Sequence, residues 1–175
     1  MFALFLSHLK IFVLVIVAIT VVFFTTSQAF ADMFGFLKKH DFILSVPING
    51  QLLENGKPLA NTSVFKSFTF DEEYLEETKT DENGNFSFSE KVIKTSKPSN
   101  MFDNGSLIQH IYIKSDKAED KVIWFARLGL HKQSTTLNGY LNNLVCDVAK
   151  EPQTYDIPII EDKQHVFTVY TPCKI

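Results

Sequence analysis

Two short reversals of the backbone, each marked by an Asn-Gly pair, constrain this chain more than any other feature. They are Asn55-Gly56 and Asn83-Gly84, and both lie within residues 50–88. Asn and Gly tolerate the positive φ that two-residue hairpin turns require, and extended runs of β-forming residues flank each pair. The segment therefore predicts strands joined by tight turns, and the whole chain is expected to be all-β, an antiparallel β-sandwich.

Other residues are expected to shape these turns. Pro58 fixes φ beside the first turn, and the side-chain oxygens of Thr80 and Asp81 can hydrogen-bond free amides of the second. An alternative interpretation is a calcium loop, because Asp81, Asn83 and Asn85 alternate like oxygen ligands. The glycine follows Asn83 directly and no later Glu is placed to complete the shell. A hairpin turn is therefore the favoured interpretation.

Outside residues 50–88, alternation of apolar and polar residues predicts further strands. Trp124, the only tryptophan, is expected in the core, and the 17 phenylalanines are interpreted as core residues rather than a ligand stack. Asn138-Gly139 predicts another turn, and the polar residues 94–105 predict a surface loop. The predicted strands cover residues 42–46, 107–114, 122–128, 141–148 and 166–171.

The N-terminus is typical of a signal peptide. Lys10 precedes an apolar run over residues 11–24, and Ala29 and Ala31 place small residues where a signal peptidase recognises them. We expect cleavage after Ala31 and a periplasmic product. Two alternatives stay open, namely an inner-membrane anchor, because the run approaches the length of a membrane span, and a translation start at Met33, which would leave the product in the cytosol.

The expected domain organisation follows from this cleavage. It consists of a signal peptide at residues 1–31, a lead-in and first strand at residues 32–46, and the sandwich at residues 47–175. Removal of Lys10 changes the formal net charge from −3 to −4. Because nucleic-acid binding needs a basic surface, this mild acidity argues against it. Membrane contact is expected only through the signal segment.

Cys146 and Cys173 are the only cysteines of the chain. In an oxidising compartment, an even pair with strand-like flanks predicts a disulfide that ties the last strand to the body of the domain. A redox pair or a metal site is not supported, because there is no C-x-x-C spacing and His165 is the only histidine nearby.

No catalytic or cofactor motif accompanies the predicted fold. The five histidines show neither H-x-H nor H-E-x-x-H spacing, and no G-x-S-x-G elbow is present. The chain is therefore expected to be no enzyme and to carry no cofactor.

An acidic segment between two predicted strands is the candidate partner-binding surface. It is expected to be a loop in which carboxylates surround Tyr74 and Leu75. Such a loop can dock into a basic cleft of a protein partner, with Tyr74 as the buried anchor. The alternative is a solvated loop that keeps an edge strand from pairing. The candidate residues are Asp71, Glu72, Glu73, Tyr74, Glu76 and Glu77.

Three motifs together carry a family resemblance. They are G-x-L at residues 50–52, N-G-K-P-L-A-N-T-x-V at residues 55–64, and T-D-x-N-G-x-F-x-F at residues 80–88. In this order they resemble the carboxypeptidase regulatory-like or transthyretin-like β-sandwich superfamily. The resemblance implies a prealbumin-like sandwich, here with a C-terminal β extension after Gly129, and it specifies fold more than function.

More narrowly, the chain with its late Cys146-Asp147 and terminal Cys173 is similar to proteobacterial periplasmic proteins that carry this domain without an established enzyme activity. Some small exported proteins of that kind are immunity partners of secreted antibacterial toxins. The resemblance implies a non-enzymatic protein-binding module, of which an immunity protein is one form. The alternative is a structural or carrier module that binds a small ligand or a glycan of the cell envelope.

Overall fold

The computed structural model describes residues 15–16, 39–70, 72–96, 106–115, 119–129 and 134–175. The chain divides into two units, Met1–His40 and Asp41–Ile175. In the first unit Val15 and Ile16 are helical and exposed. Within the described part of the chain, no helix has the length and hydropathy that a membrane crossing requires. The predicted cleavage site at Ala31 and the start at Met33 lie outside the described residues.

The second unit is built almost entirely from strands, which confirms the predicted all-β fold. One short helix, α1 (Thr135–Leu141), lies between the ninth and tenth strands. The strands are β1 (His40–Ser45), β2 (Ile48–Glu54), β3 (Lys57–Pro58), β4 (Ser63–Thr69), β5 (Glu73–Lys79), β6 (Asn85–Phe88), β7 (Lys91–Thr95), β8 (Ser106–Ile113), β9 (Lys121–Gly129), β10 (Leu144–Asp147), β11 (Gln153–Ile159) and β12 (Asp162–Thr171).

The strands form two main sheets that share one core. The larger sheet has six antiparallel strands in the order β11-β12-β9-β8-β4-β5, and the smaller has the order β10-β2-β3 with β6 also paired to β2. Strands β1 and β7 form a separate two-stranded sheet. Burial alternates along β8 in particular, which means that one face of the large sheet points into the core and the other outward.

The core is made from the inward faces of both main sheets. Trp124 on β9 and Ile111 on β8 are fully buried, and from the smaller sheet Ile48 and Leu52 of β2 are buried with them. The expectation that Trp124 is a core residue is therefore confirmed. Such a doubly covered apolar layer is the packing of a β-sandwich.

Both Asn-Gly pairs form turns, but only the first is a hairpin turn. Asn55-Gly56 joins the paired strands β2 and β3. The hairpin predicted at Asn83-Gly84 is wrong, because that turn joins β5, which pairs with β4, to β6, which pairs with β2 in the other sheet. Asn55 and Gly56 have φ of 53° and 77°, and Gly84 also has φ of 77°. Gly84 has a second constraint, because a Cβ atom there would overlap the carbonyl oxygen of Leu52. The backbone of Leu52 donates to the Gly84 carbonyl at 2.9 Å, so the second turn packs against β2.

The predicted turn at Asn138-Gly139 is wrong, because both residues lie inside helix α1. The hydroxyl of Ser134 accepts a hydrogen bond from the Leu137 N–H at 3.3 Å and caps the helix. Leu137 and Leu141 are buried on the same side of the helix. This buried face outweighs the turn preference of the Asn-Gly pair.

The C-terminal extension is joined to the body in a way that the sequence did not indicate. Strand β10 pairs in parallel with β2, and Leu144 lies opposite Gly50. A disulfide links Cys146 on this strand to Cys173 just beyond β12, as expected from the cysteine count. The extension therefore contributes one strand, β10, to the smaller sheet and two strands, β11 and β12, to the larger sheet.

Candidate functional site

The acidic segment that was expected to be a loop is largely the edge strand β5. Its residues from Glu73 to Lys79 pair with β4 over the whole length of both strands. Asp71 lies outside the described residues, and Glu72 is exposed just before the strand. Side chains alternate along β5 between exposed and partly buried, so the candidate residues are divided between two faces rather than gathered in one patch.

The inward-facing candidates, Tyr74 and Glu76, serve the fold. The Nζ atom of Lys66 lies 2.8 Å from Glu76 Oε2, and that of Lys91 lies 3.4 Å from Glu76 Oε1. Lys66 is fully buried on β4, whereas the Glu76 side chain is 30% exposed. Burial raises the pKa of Glu76, but the hydrogen bonds and charges of Lys66 and Lys91 together lower that pKa by more than burial raises it. The net shift is therefore downward.

Lys66 also contacts aromatic rings inside the core. Its Nζ atom lies 5.0 Å from the ring centre of Phe88 and 5.4 Å from that of Phe68. A buried ammonium group requires such partners, because desolvation is costly without them. Sequence reasoning missed this role, since a lysine within a strand of alternating residues is ordinarily exposed.

The outward-facing residues of β5 are Glu73, Leu75, Glu77 and Lys79, and they lie on the outer face of the six-stranded sheet. Glu73 Oε1 accepts a hydrogen bond from the hydroxyl of Ser67 at 2.6 Å. Leu75 is 53% exposed, so its aliphatic side chain is accessible on this face. The acidic candidates that remain available to a partner are therefore Glu72, Glu73 and Glu77.

An aromatic row extends across the same outer face. The ring of Tyr112 stacks on Phe65 with centroids 5.5 Å apart, and on His110 with centroids 4.6 Å apart. His110 also meets Phe125 edge to face at 5.8 Å. Tyr170 on β12 lies opposite Phe125 on β9. We call this set, Phe65, Tyr112, His110, Phe125 and Tyr170, the aromatic row.

The two ends of the aromatic row differ in accessibility. Phe125 and Tyr170 are both 40% exposed, whereas Phe65 is buried beneath Lys114, whose Nζ atom lies 4.3 Å from its ring centre. The interpretation of phenylalanines as core residues holds for Phe68 but not for Phe125. Exposed aromatic groups of this kind are enriched where proteins bind partners.

The electrostatics of the row keep its polar members uncharged. Burial lowers the pKa of His110, although the charges of Asp120 and Glu73 act in the opposite direction. Burial, together with the same two carboxylates, raises the pKa of Tyr112. At neutral pH the row therefore presents a neutral imidazole between aromatic rings.

The predicted turn residues are brought together, with one correction. The Asp81 carboxylate accepts hydrogen bonds from the backbone N–H groups of Asn83 at 2.9 Å and of Asn85 at 2.7 Å, as predicted for the second turn. The Thr80 hydroxyl does not bond the turn. It donates to the Leu59 carbonyl at 2.7 Å and accepts from the Thr62 N–H at 2.9 Å, because it is buried beside that segment.

Asp147, which the sequence indicated only as part of the family resemblance, has a structural role that was not predicted. Its carboxylate accepts from the backbone N–H groups of Asn55 and Gly56, both at 2.9 Å, and from Ala149 at 3.1 Å. Partial desolvation raises the pKa of Asp147, but the three amides and Lys150 lower it, and the net shift is downward. The first hairpin turn is therefore held by a residue about ninety positions later in the chain.

A groove of about 680 Å³ lies beside β1 and helix α1. It is lined by apolar residues of β1 together with side-chain amides of helix α1 and its C-terminal end. Within the described ranges, no group of three or more histidines, cysteines or carboxylates is placed to hold a metal ion. The lining residues are Asp41, Phe42, Ile43, Val46, Pro47, Glu90, Asn138 and Asn142.

The comparisons with known proteins define a family but no activity. A family model described as "Domain of unknown function (DUF6795)" matches residues 48–151. A search of curated proteins found no match, and a search of solved structures found none either. The family match begins at β2 and ends just after β10, and it covers more than half of the chain. The chain therefore belongs to the DUF6795 family.

Proposed function

We propose that this protein is a non-enzymatic, exported β-sandwich that binds another protein through the outer face of its six-stranded sheet. The observation that carries the proposal is the aromatic row, with Phe125 and Tyr170 each 40% exposed. Tyr, Phe and Arg are enriched at the centres of protein interfaces, and Arg127 is exposed two residues after Phe125. We infer that this face, rather than an acidic loop, is the binding surface.

The surroundings of the row support a protein partner. Leu75 and Val166 are 53% and 58% exposed on the same face, so apolar contact area extends to both sides of the aromatic rings. Glu73, Glu77 and Arg127 supply charges around it. An apolar centre with charged side chains at its border is the usual composition of a protein interface.

Export is part of the proposal. The disulfide between Cys146 and Cys173 supports it, because disulfides persist in oxidising compartments. Together with the signal-like N-terminus, this favours a periplasmic location after cleavage at Ala31. An immunity protein that neutralises a secreted toxin is the specific form of the function that we favour, as the family resemblance implies.

The geometry of the two turns also supports placing the family within the carboxypeptidase regulatory-like or transthyretin-like superfamily. The left-handed conformations of Gly56 and Gly84 fit the two motifs that carry this resemblance. We propose this placement as a relation of fold, since the superfamily includes many functions.

A second candidate function is the binding of a small ligand or glycan of the cell envelope. The groove beside β1 favours it, because its volume of about 680 Å³ is within the range of small-molecule sites. Asn138 and Asn142 line the groove with side-chain amides, which are common hydrogen-bond partners of sugar hydroxyls.

Site-specific photocrosslinking in intact cells separates these two functions. A photoreactive residue would replace Phe125 in the full chain, and a control would place the same residue at Lys57, which is exposed on the small sheet. We expect one discrete protein adduct from position 125 and none from position 57. Equal labelling at both positions would refute an outer-face interface. If the protein instead binds envelope glycans and N142A abolishes that binding, the second function is supported.

A further inference from the structure

Strand β5 forms one edge of the six-stranded sheet, and β4 is the only described strand that pairs with it. The opposite edge is β11, in which Pro158 lacks the N–H group that a continuous ladder needs. Strand β5 contains no proline. Of the two edges, β5 is therefore the one suited to accept another strand.

Backbone hydrogen bonds at both ends of the β4–β5 pair reveal which groups point away from β4. The Thr80 N–H donates to the Thr62 carbonyl at 3.0 Å, and the Phe70 N–H donates to the Glu72 carbonyl at 3.2 Å. Since antiparallel residue pairs alternate between bonded and non-bonded, the even-numbered residues of β5 bond to β4. The residues with outward-pointing backbone groups are Glu73, Leu75, Glu77 and Lys79.

The first three of those residues display an acidic, aliphatic, acidic pattern on the outer face, and the basic Lys79 follows at the end of the strand. Leu75 lies opposite Ser67, and Ser67 in turn lies opposite His110. His110 lies opposite Phe125. Leu75 thus continues the line of the aromatic row to the edge of the sheet. A strand added beside β5 would place one side chain next to Leu75 and at the end of that line.

We propose that β5 binds an extended basic segment of the partner protein by strand addition. In that segment, two Lys or Arg residues lie opposite Glu73 and Glu77, and an aliphatic residue between them lies opposite Leu75. Main-chain hydrogen bonds supply affinity, and the alternate side chains supply specificity. The inference rests on the proposed protein-binding function and specifies the chemistry of its partner.

The same charges disfavour a second copy of this chain as the occupant. If two β5 strands paired antiparallel around Leu75, Glu73 of each copy would lie opposite Glu77 of the other. Like charges directly opposite each other destabilise a strand pair. The edge is therefore protected against self-association while it remains complementary to a basic strand.

Two short peptides test the inference against the protein isolated from cells that express the full chain. One is acetylated and amidated Thr-Lys-Thr-Val-Thr-Lys-Thr, and the other has Glu in place of both Lys. We expect the basic peptide to bind about tenfold more tightly than the acidic one at low salt, because two attractive pairs replace two repulsive ones. The measurement is calorimetric titration.

Charge-swap variants provide the decisive comparison. In E73K/E77K the preference should reverse, whereas E119K/E151K, which makes the same change in net charge at exposed sites outside β5, should behave like the wild type. Circular dichroism monitors folding of each variant. If E73K/E77K does not fold, E73Q/E77Q replaces it, and the tenfold preference should fall to near unity.

The outcomes separate this inference from the proposed function. An unchanged peptide preference in E73K/E77K or E73Q/E77Q, or equal binding of both peptides by the wild type, overturns strand addition. If a protein adduct at position 125 persists in that case, the outer-face interface stands without it. If the preference follows the charges at positions 73 and 77 while position 125 gives no adduct, strand addition stands and the outer-face interface is wrong.

Discussion

Replacing Glu76 with glutamine is expected to destabilise the protein by about 2 to 3 kcal/mol. Lys66 is fully buried, and its Nζ atom lies 2.8 Å from Glu76; among the described residues its one other polar partner is the Ser89 carbonyl at 3.5 Å. E76Q therefore leaves a buried charge without its counterion. Breaking a fully buried ion pair costs roughly 3 to 5 kcal/mol, and the partial exposure of Glu76 reduces this range.

The opposite substitution should cost less, because the two partners differ in burial. In K66M the side chain keeps its volume against Phe68 and Phe88, and Glu76 keeps Lys91 at 3.4 Å as well as contact with water. We expect a loss of about 1 kcal/mol, as for other volume-conserving core changes. When Lys66 has already been replaced by methionine, the additional substitution E76Q should lower the free energy of unfolding by less than about 0.5 kcal/mol.

Urea denaturation followed by Trp124 fluorescence measures these differences, since Trp124 is fully buried and becomes exposed on unfolding. The double-mutant cycle should give a coupling energy of about 2 kcal/mol. The control is E77Q, which alters an exposed carboxylate on the neighbouring position and should change stability by less than about 0.5 kcal/mol. If E76Q costs the same with and without Lys66, the argument from a buried ammonium group is refuted.

Three further predictions test other parts of the fold. Replacing Cys146 and Cys173 with serine should remove roughly 3 to 4 kcal/mol of stability by the chain-entropy estimate, which thermal unfolding with and without reductant can check. Hydrogen bonds from Ser134 and Thr136 lower the pKa of Glu161 to about 2, so the contribution of the Glu161 carboxylate to folding stability is complete above pH 4.5 and is lost as the pH falls toward 2. In E161Q, stability measured against pH should fall less steeply between pH 4.5 and 2. The same pH profile in E161Q and the wild type would contradict the assignment. Both G56A and G84A force alanine to a φ of 77°, which should lower the free energy of unfolding by about 1 kcal/mol. G84A should lower it by at least about 2 kcal/mol more, because the added Cβ would overlap a carbonyl oxygen. Equal unfolding midpoints for the two variants would disprove this.

Local chemistry explains the parts of the fold that could be predicted from the sequence. Asn55-Gly56 and Gly84 indicate turns because few other residues adopt positive φ at low cost. Strand β5 could not be predicted with the same ease, since Glu is depleted in strands. Its pairing with β4 and the Lys66–Glu76 contact outweigh that preference. Local propensity here gives way to tertiary contacts.

The candidate site depends even more on contacts between distant segments. Phe65, His110 and Phe125 belong to three strands, and only the pairing of those strands brings the rings together. The same holds for Asp147, which reaches the turn at Gly56 only because β10 lies beside β2. A single sequence specifies the residues of such sites but not which of them become neighbours.

The parallel pairing of β10 with β2 also has a consequence for the order in which parts of the protein can fold during synthesis. Gly50 and Leu144 lie opposite each other, so the small sheet cannot be completed until nearly the whole chain has left the ribosome. Contacts of such long sequence separation form slowly. During synthesis, strand β2 therefore remains without its parallel partner until about ninety further residues have been added.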